Sequence, residues 1–155
     1  RDLHLSIRRQ RQMCIRDRLY PCLWFDGNAK EAATFYCSIF KDGRITADTP
    51  MVVNFEIMGR KFMGLNAGPM FKFNESISYV IECDTQQEID YYWDQLTKDG
   101  GLEVECGWVK DKFGLSWQVV PKILGKLMND PQKAPQVLAV IMKTKKFNIQ
   151  ELEDI

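Results

Sequence analysis

Few side chains in this sequence can do chemistry, and the missing types narrow the choice. The only histidine is His4, so residues 19–155 hold no imidazole. Nucleophilic pairs of the Ser–His or Cys–His kind are excluded from that stretch. Asp26 stands in Asp26–Gly27–Asn28, just before a run of helical spacing, and reads either as a base or, more simply, as a helix N-cap. Glu82 and Cys83 are neighbours on a strand pattern, so one of them must point outward, and the carboxylate is the one expected in solvent. Lys110, Asp111 and Lys112 fall in a turn and are expected to be solvated. Cys106 would be reactive beside a positive group that lowers its pKa, and a buried thiol is the expected state. No G-x-G-x-x-G occurs, and Gly100–Gly101 follows a helix pattern, where glycines act as a stop. That leaves no support for the glycine-rich turn of the common S-adenosylmethionine methyltransferase sheet.

The elements that must position these groups follow from pattern. Leu19 to Phe25 is a short aromatic-rich strand, and a helix from about Ala29 to Phe40 carries Ala32, Ala33, Phe35, Tyr36, Ile39 and Phe40 on one stripe. Gly43 suits a left-handed cap after it. A short strand at Arg44 to Thr46 precedes a hairpin of Met51 to Met58 and Lys61 to Ala67, turning at Gly59–Arg60. Gly68 to Asn74 is a turn-rich linker. The order then repeats: a strand at Ser76 to Cys83, a helix from Gln86 to Lys98 with Ile89, Tyr92, Trp93 and Leu96 inward, and strands at Val104 to Val109 and Leu115 to Val120. Helical stretches at Lys122 to Met128, Ala134 to Met142 and Ile149 to Leu152 close the chain. Neither repeat can bury its sheet face alone.

Bulk properties fit a globular domain: 155 residues, 45% hydrophobic and 27% charged. Net charge is zero but uneven, since residues 1–18 hold six Arg and two Asp and the remainder is net −4. An acidic body gives no electrostatic reason for a nucleic-acid partner, and no apolar run reaches the roughly 20 residues of a membrane span. Residues 1–18 lack the apolar core of a secretory signal, and Gln12 to Arg18 resembles translated library-adapter sequence; this stretch is expected to be non-native and disordered or a frayed helix. The five cysteines form no C-x-x-C pair, which reads as reduced thiols in the cytoplasm.

Several segments carry a family resemblance. They are Leu23–Trp24–Phe25–Asp26–Gly27–Asn28–Ala29, Glu31–Ala32–Ala33, Phe35–Tyr36, Leu65–Asn66–Ala67–Gly68–Pro69, Phe73–Asn74–Glu75, Tyr91–Tyr92–Trp93, the block Cys106–Pro121 and the lysine-rich Met142–Ile149. In this order, over residues 19–155, the chain resembles the PhnB-like branch of the vicinal-oxygen-chelate (glyoxalase/bleomycin-resistance) superfamily, also labelled 3-demethylubiquinone-9 3-methyltransferase-like. The resemblance implies an α+β fold in which paired βαβββ modules form curved sheets around a cleft. It implies one domain over 19–155, with modules at about 19–68 and 76–120 and a helical tail at 121–155.

Enzymes of that superfamily often hold a divalent metal through His, Glu or Gln of the first and last strand of each module. The matching positions here fall near Pro21, near Ile77 or Ser78, near Asn66 and at Gln118. Two neutral amides do not compensate a dication, so no metal and no cofactor are expected. Trp24 and Trp117 lie on strands that line the cleft in the related fold, with Asn66 and Gln118 as orienting polar groups and Phe71 and Phe73 on the linker as covers. The other reading is a packed interior with both amides satisfied by backbone. Three functions follow: a metal-independent small-molecule binder, which is favoured, an enzyme acting on a small carbonyl or quinone-like substrate, or a protein–protein module. A homodimer is compatible with all three.

Overall fold

The computed structural model describes residues 18–155. The readings made for residues 1–17, His4 included, lie outside the described residues. The chain forms two compact units that divide between Lys72 and Phe73.

Unit one contains β1 (Cys22–Phe25), α1 (Ala29–Ile39), β2 (Arg44–Asp48), β3 (Val52–Ile57) and β4 (Arg60–Asn66). They form one four-stranded sheet in the order β1-β4-β3-β2, with β1 parallel to β4 and the other pairs antiparallel. Along β3, Val53, Phe55 and Ile57 are buried while Val52, Asn54 and Glu56 are half-exposed, so one face takes the core and the other is left open. The core face meets the α1 stripe. The Tyr36 ring stacks on Phe55 at 5.9 Å, and Phe55 stacks on Phe62 at 5.3 Å. Each such ring contributes about 1.5–3 kcal/mol by leaving water.

Two details of α1 differ from expectation. Asp26 does not cap it; the N-cap position is Asn28, whose side chain makes no capping bond. Gly43 is not the left-handed residue either, because Asp42 takes that role at φ 57°. Gly43 is needed for a different reason: a Cβ there would come within 2.8 Å of the Cys37 carbonyl carbon. The β3–β4 turn sits one residue earlier than its sequence pattern suggests, on Met58 and Gly59, both with positive φ as a type I′ turn requires.

Unit two repeats the order. It holds β5 (Ser78–Cys83), α2 (Gln86–Thr97), a 3₁₀ turn (Lys98–Gly100), β6 (Leu102–Glu103), β7 (Trp108–Lys110) and β8 (Ser116–Pro121). The sheet order β5-β8-β7-β6, with β5 parallel to β8, is that of unit one. Both units are therefore βαβββ modules, as expected. Helix α2 is capped by the Thr85 hydroxyl, which accepts from Glu88 N–H at 3.2 Å. Its stripe of Ile89, Tyr92, Trp93 and Leu96 is buried, as are Ile81, Cys83, Val109, Trp117 and Val119 of the sheet. Burial of Cys83, together with the neighbouring Glu88 and Asp84 carboxylates, pushes its thiol up to about 12.

The strand expected over Val104 to Val109 is broken. Cys106 and Gly107 both take positive φ, and the turn hands its amides to the tail rather than to a strand. Cys106 N–H donates to Thr144 O and Gly107 N–H to Lys145 O, each at 2.7 Å. Beyond this seam lie α3 (Ile123–Met128), α4 (Ala134–Lys143) and α5 (Ile149–Glu153). Phe147 is buried, and the Gln86 amide clasps the chain on either side of Asn148. It donates to Phe147 O at 3.0 Å and accepts from Ile149 N–H at 2.8 Å. Asp90 supports this clasp, accepting from Gln86 at 3.1 Å and pairing with Lys146 at 2.6 Å.

The hydrogen bond from Lys146, and then that from Gln86, hold the Asp90 carboxyl below the usual carboxylate range. A group whose folded pKa is depressed stabilises the fold above its unfolded pKa, and that contribution is lost as pH falls through the folded value. Carbon-detected NMR titration is expected to place the Asp90 midpoint below the ordinary ~3.9. Lys146→Met is expected to return it toward that value. An Asp90 midpoint indifferent to Lys146→Met would show that the pair is not held in solution.

Candidate functional site

In each unit α1 or α2 packs on one face of the sheet, and the alternate strand residues form the opposite face. In unit one this face carries Trp24, whose indole N–H donates to Gly68 O at 2.8 Å and whose ring meets Phe71 edge-on at 4.9 Å. Trp24 and Phe71 thus form one aromatic wall, with Phe71 59% exposed. Asn54 lies on the same face, and its buried Oδ1 accepts no hydrogen bond from the described residues.

Asn66 ends β4 and is fully engaged by backbone. Its Oδ1 accepts from Ala29 N–H at 2.9 Å, and its Nδ2 donates to Pro50 O at 3.0 Å. It supplies from a distant strand the N-terminal acceptor that α1 lacks locally. Asn66→Ala is expected to cost about 1 kcal/mol, read from urea denaturation. An unchanged midpoint would remove this capping role.

In unit two, β-ladder register defines the opposite face in rows. Ser78 pairs with Ser116, and Ser116 with Lys110; Val80 pairs with Gln118, and Gln118 with Trp108. Gln118 Nε2 donates to Ser78 Oγ at 2.9 Å, which orients the amide. Lys110 is ion-paired to the carboxylate of Glu75, on the segment leading into β5. Lys110, chiefly through its hydrogen bond, holds Glu75 below the usual carboxylate range. Ser116 is 1% exposed, yet its hydroxyl has no hydrogen-bond partner among the described residues.

Trp117 does not share this face. Adjacent strand residues point to opposite sides of a sheet, so with Gln118 on that face Trp117 lies in the core, 3% exposed. Its indole N–H donates to Asp111 Oδ2 at 2.9 Å. Asp111 is likewise not solvated. It is buried, and its Oδ1 also accepts from Phe113 N–H at 2.8 Å and Leu115 N–H at 3.1 Å. An acceptor with three inward donors explains a carboxylate in the core. Phe73 is half-buried at the start of unit two. Sequence offered no signal for Glu75 or Ser116 as site residues, and Lys110, expected to be solvated in a turn, instead ends β7 half-buried. Counting by twos along β8 from Gln118, and reading the β7–β8 register, finds the partners on strands.

The donor set does not suit a divalent cation. The Asn66 oxygen is taken by Ala29 N–H, Gln118 offers only a neutral amide oxygen, and the Pro21 side chain has no donor atom to offer. Among the described residues no three His, Cys, Asp or Glu side chains gather where a metal could bind. Ordinary ligand sets for such ions need imidazole, thiolate or carboxylate. No helix of the described residues is long and apolar enough to cross a membrane.

The fold recurs in solved structures. A PhnB protein from Bacillus cereus is 26% identical with a TM-score of 0.61, over 67% of this chain and 98% of that one. A protein from Pseudomonas aeruginosa is 21% identical with a TM-score of 0.56, over 66% and 96%. A glyoxalase/bleomycin resistance protein from Albidiferax ferrireducens shares the fold at 10% identity and a TM-score of 0.52, over 66% and 96%. No curated protein matches the chain. The model of one family, described as 3-demethylubiquinone-9 3-methyltransferase, matches residues 17–120. Since that stretch spans both βαβββ modules and two thirds of the sequence, the chain belongs to this PhnB-like family of glyoxalase-type fold.

Proposed function

We propose that the protein binds a small organic molecule, without a metal, on the sheet face of unit two that carries Gln118. The observation that carries this reading is Gln118, oriented by Ser78 and set between Val80 and Trp108 on the sheet face opposite the buried Trp117 and Val119. An amide fixed among apolar neighbours is the usual way a pocket orients a ligand. Trp24 and Phe71 form an aromatic surface of unit one considered by itself. Trp117 and Asn66 act behind the faces, the first through Asp111 and the second through α1. The family description names a methyltransferase, but no glycine-rich nucleotide turn supports that activity here. The working form is a homodimer in the cytoplasm.

Native mass spectrometry with metal analysis on the same sample tests the metal-free state and the dimer. Fragment screening by ¹H–¹⁵N NMR tests binding. A metal-free dimer and saturable shifts at the Gln118 amide and Trp108 indole are expected. A stoichiometric divalent ion, or a screen without saturable binding, would overturn the reading.

A further inference from the structure

We propose that the row Ser78–Ser116–Lys110 on unit two receives the carboxylate, or an equivalent oxyanion, of the bound molecule, and that Glu75 fills that place as an internal competitor. The inference rests on the binding reading above and names the ligand class.

The first observation is Ser116. A hydroxyl that is 1% exposed with no hydrogen-bond partner among the described residues is a rare thing to keep in a folded protein. Its neighbours supply the context. Lys110 stands directly across the β7–β8 ladder from it, and Ser78 directly across β5–β8. Residues paired in register point to the same side of a sheet, so all three share the face of Gln118. Ser78 Oγ accepts from Gln118, which leaves its O–H able to donate. Two hydroxyl donors and an ammonium therefore share one row.

Glu75 is the second observation. Its carboxylate pairs with Lys110, but its side chain is 57% exposed and lies outside the sheet. An ion pair with so exposed a member contributes little net stability. A ligand carboxylate held by Lys110 and also by the Ser116 hydroxyl makes one more charge-assisted hydrogen bond than the pair it displaces. The next row, Val80 and Trp108, gives an apolar surface for the rest of the molecule. The ligand class is therefore a small amphipathic acid, with its acid group at Lys110 and its apolar body toward Trp108.

Benzoate and its neutral counterpart benzyl alcohol test this, on the full chain, by NMR shift titration and calorimetry. Glu75→Gln removes the competitor and is expected to tighten benzoate binding roughly tenfold, the scale of one charge-assisted hydrogen bond. Shifts are expected at Ser78, Lys110 and Ser116. Lys110→Met is expected to abolish benzoate binding. Ser116→Ala, which deletes only an unpartnered hydroxyl, is expected to weaken it several-fold while leaving the melting temperature in place. Benzoate binding that is no tighter in Glu75→Gln, or that survives in Lys110→Met, overturns the proposal. Benzyl alcohol binding equally to all variants, with no preference for benzoate, overturns it while the binding function stands. Failure of both probes on every variant overturns both.

Discussion

Gly107→Ala is expected to destabilise the protein by about 3–5 kcal/mol, a large fraction of the stability of a domain this size. Two separate faults act at this position. Gly107 sits at φ 81°, where a side chain is strained. A Cβ there would also run into the Phe147 ring, coming 2.9 Å from Cδ2 and 3.0 Å from Val119 O. Phe147 cannot yield cheaply, because it is buried and its carbonyl is held by Gln86. Urea denaturation followed by tryptophan fluorescence measures the loss. Phe147→Ala should cost a similar 3–5 kcal/mol by emptying the same site. The double substitution should cost less than the sum, since the ring that collides is gone. A loss under about 1 kcal/mol in Gly107→Ala would mean that the tail does not dock on the Cys106–Gly107 turn in solution.

Asp111→Ala is expected to cost about 3–5 kcal/mol, with little change in overall shape. The carboxylate is the acceptor for Trp117 Nε1–H, Phe113 N–H and Leu115 N–H, and alanine would remove that acceptor from all three, the Trp117 and Leu115 bonds being buried. Each orphaned buried donor costs about 1–3 kcal/mol. Asp111→Asn retains one carbonyl oxygen and should lose roughly half as much. Trp117 reports locally, and a shift of its indole N–H resonance should accompany the loss. Full stability in Asp111→Ala would show that water replaces the carboxylate and that the β7–β8 turn is more open than described.

Much of the element pattern was legible in the sequence because it depends on local spacing. The α1 stripe, the β3–β4 hairpin and the α2 stripe are set by period, and each stands within a few residues of where period put it, whereas β6 lies outside the expected strands. The errors have a common cause. Asp26 and Gly43 carry good local signals for helix ends, but the bond to the α1 N-terminus comes from Asn66, more than thirty residues away. Strand alternation required Trp117 and Gln118 to part, yet only packing against α2 decided which one went inside.

The candidate site was less legible than the fold for the same reason. Residue types alone determined that residues 19–155 hold no imidazole, that the two amides at Asn66 and Gln118 make a poor metal set, and that helices and strands alternate in two like units. Tertiary structure decided what a linear pattern does not contain. It placed Lys110 across a ladder from Ser116, turned Asp111 from a solvated turn residue into a buried acceptor, and split an expected strand so that Cys106 and Gly107 could bond to the tail. Those outcomes rest on pairings between residues distant in sequence, where register and burial, not spacing, choose each side chain's partner.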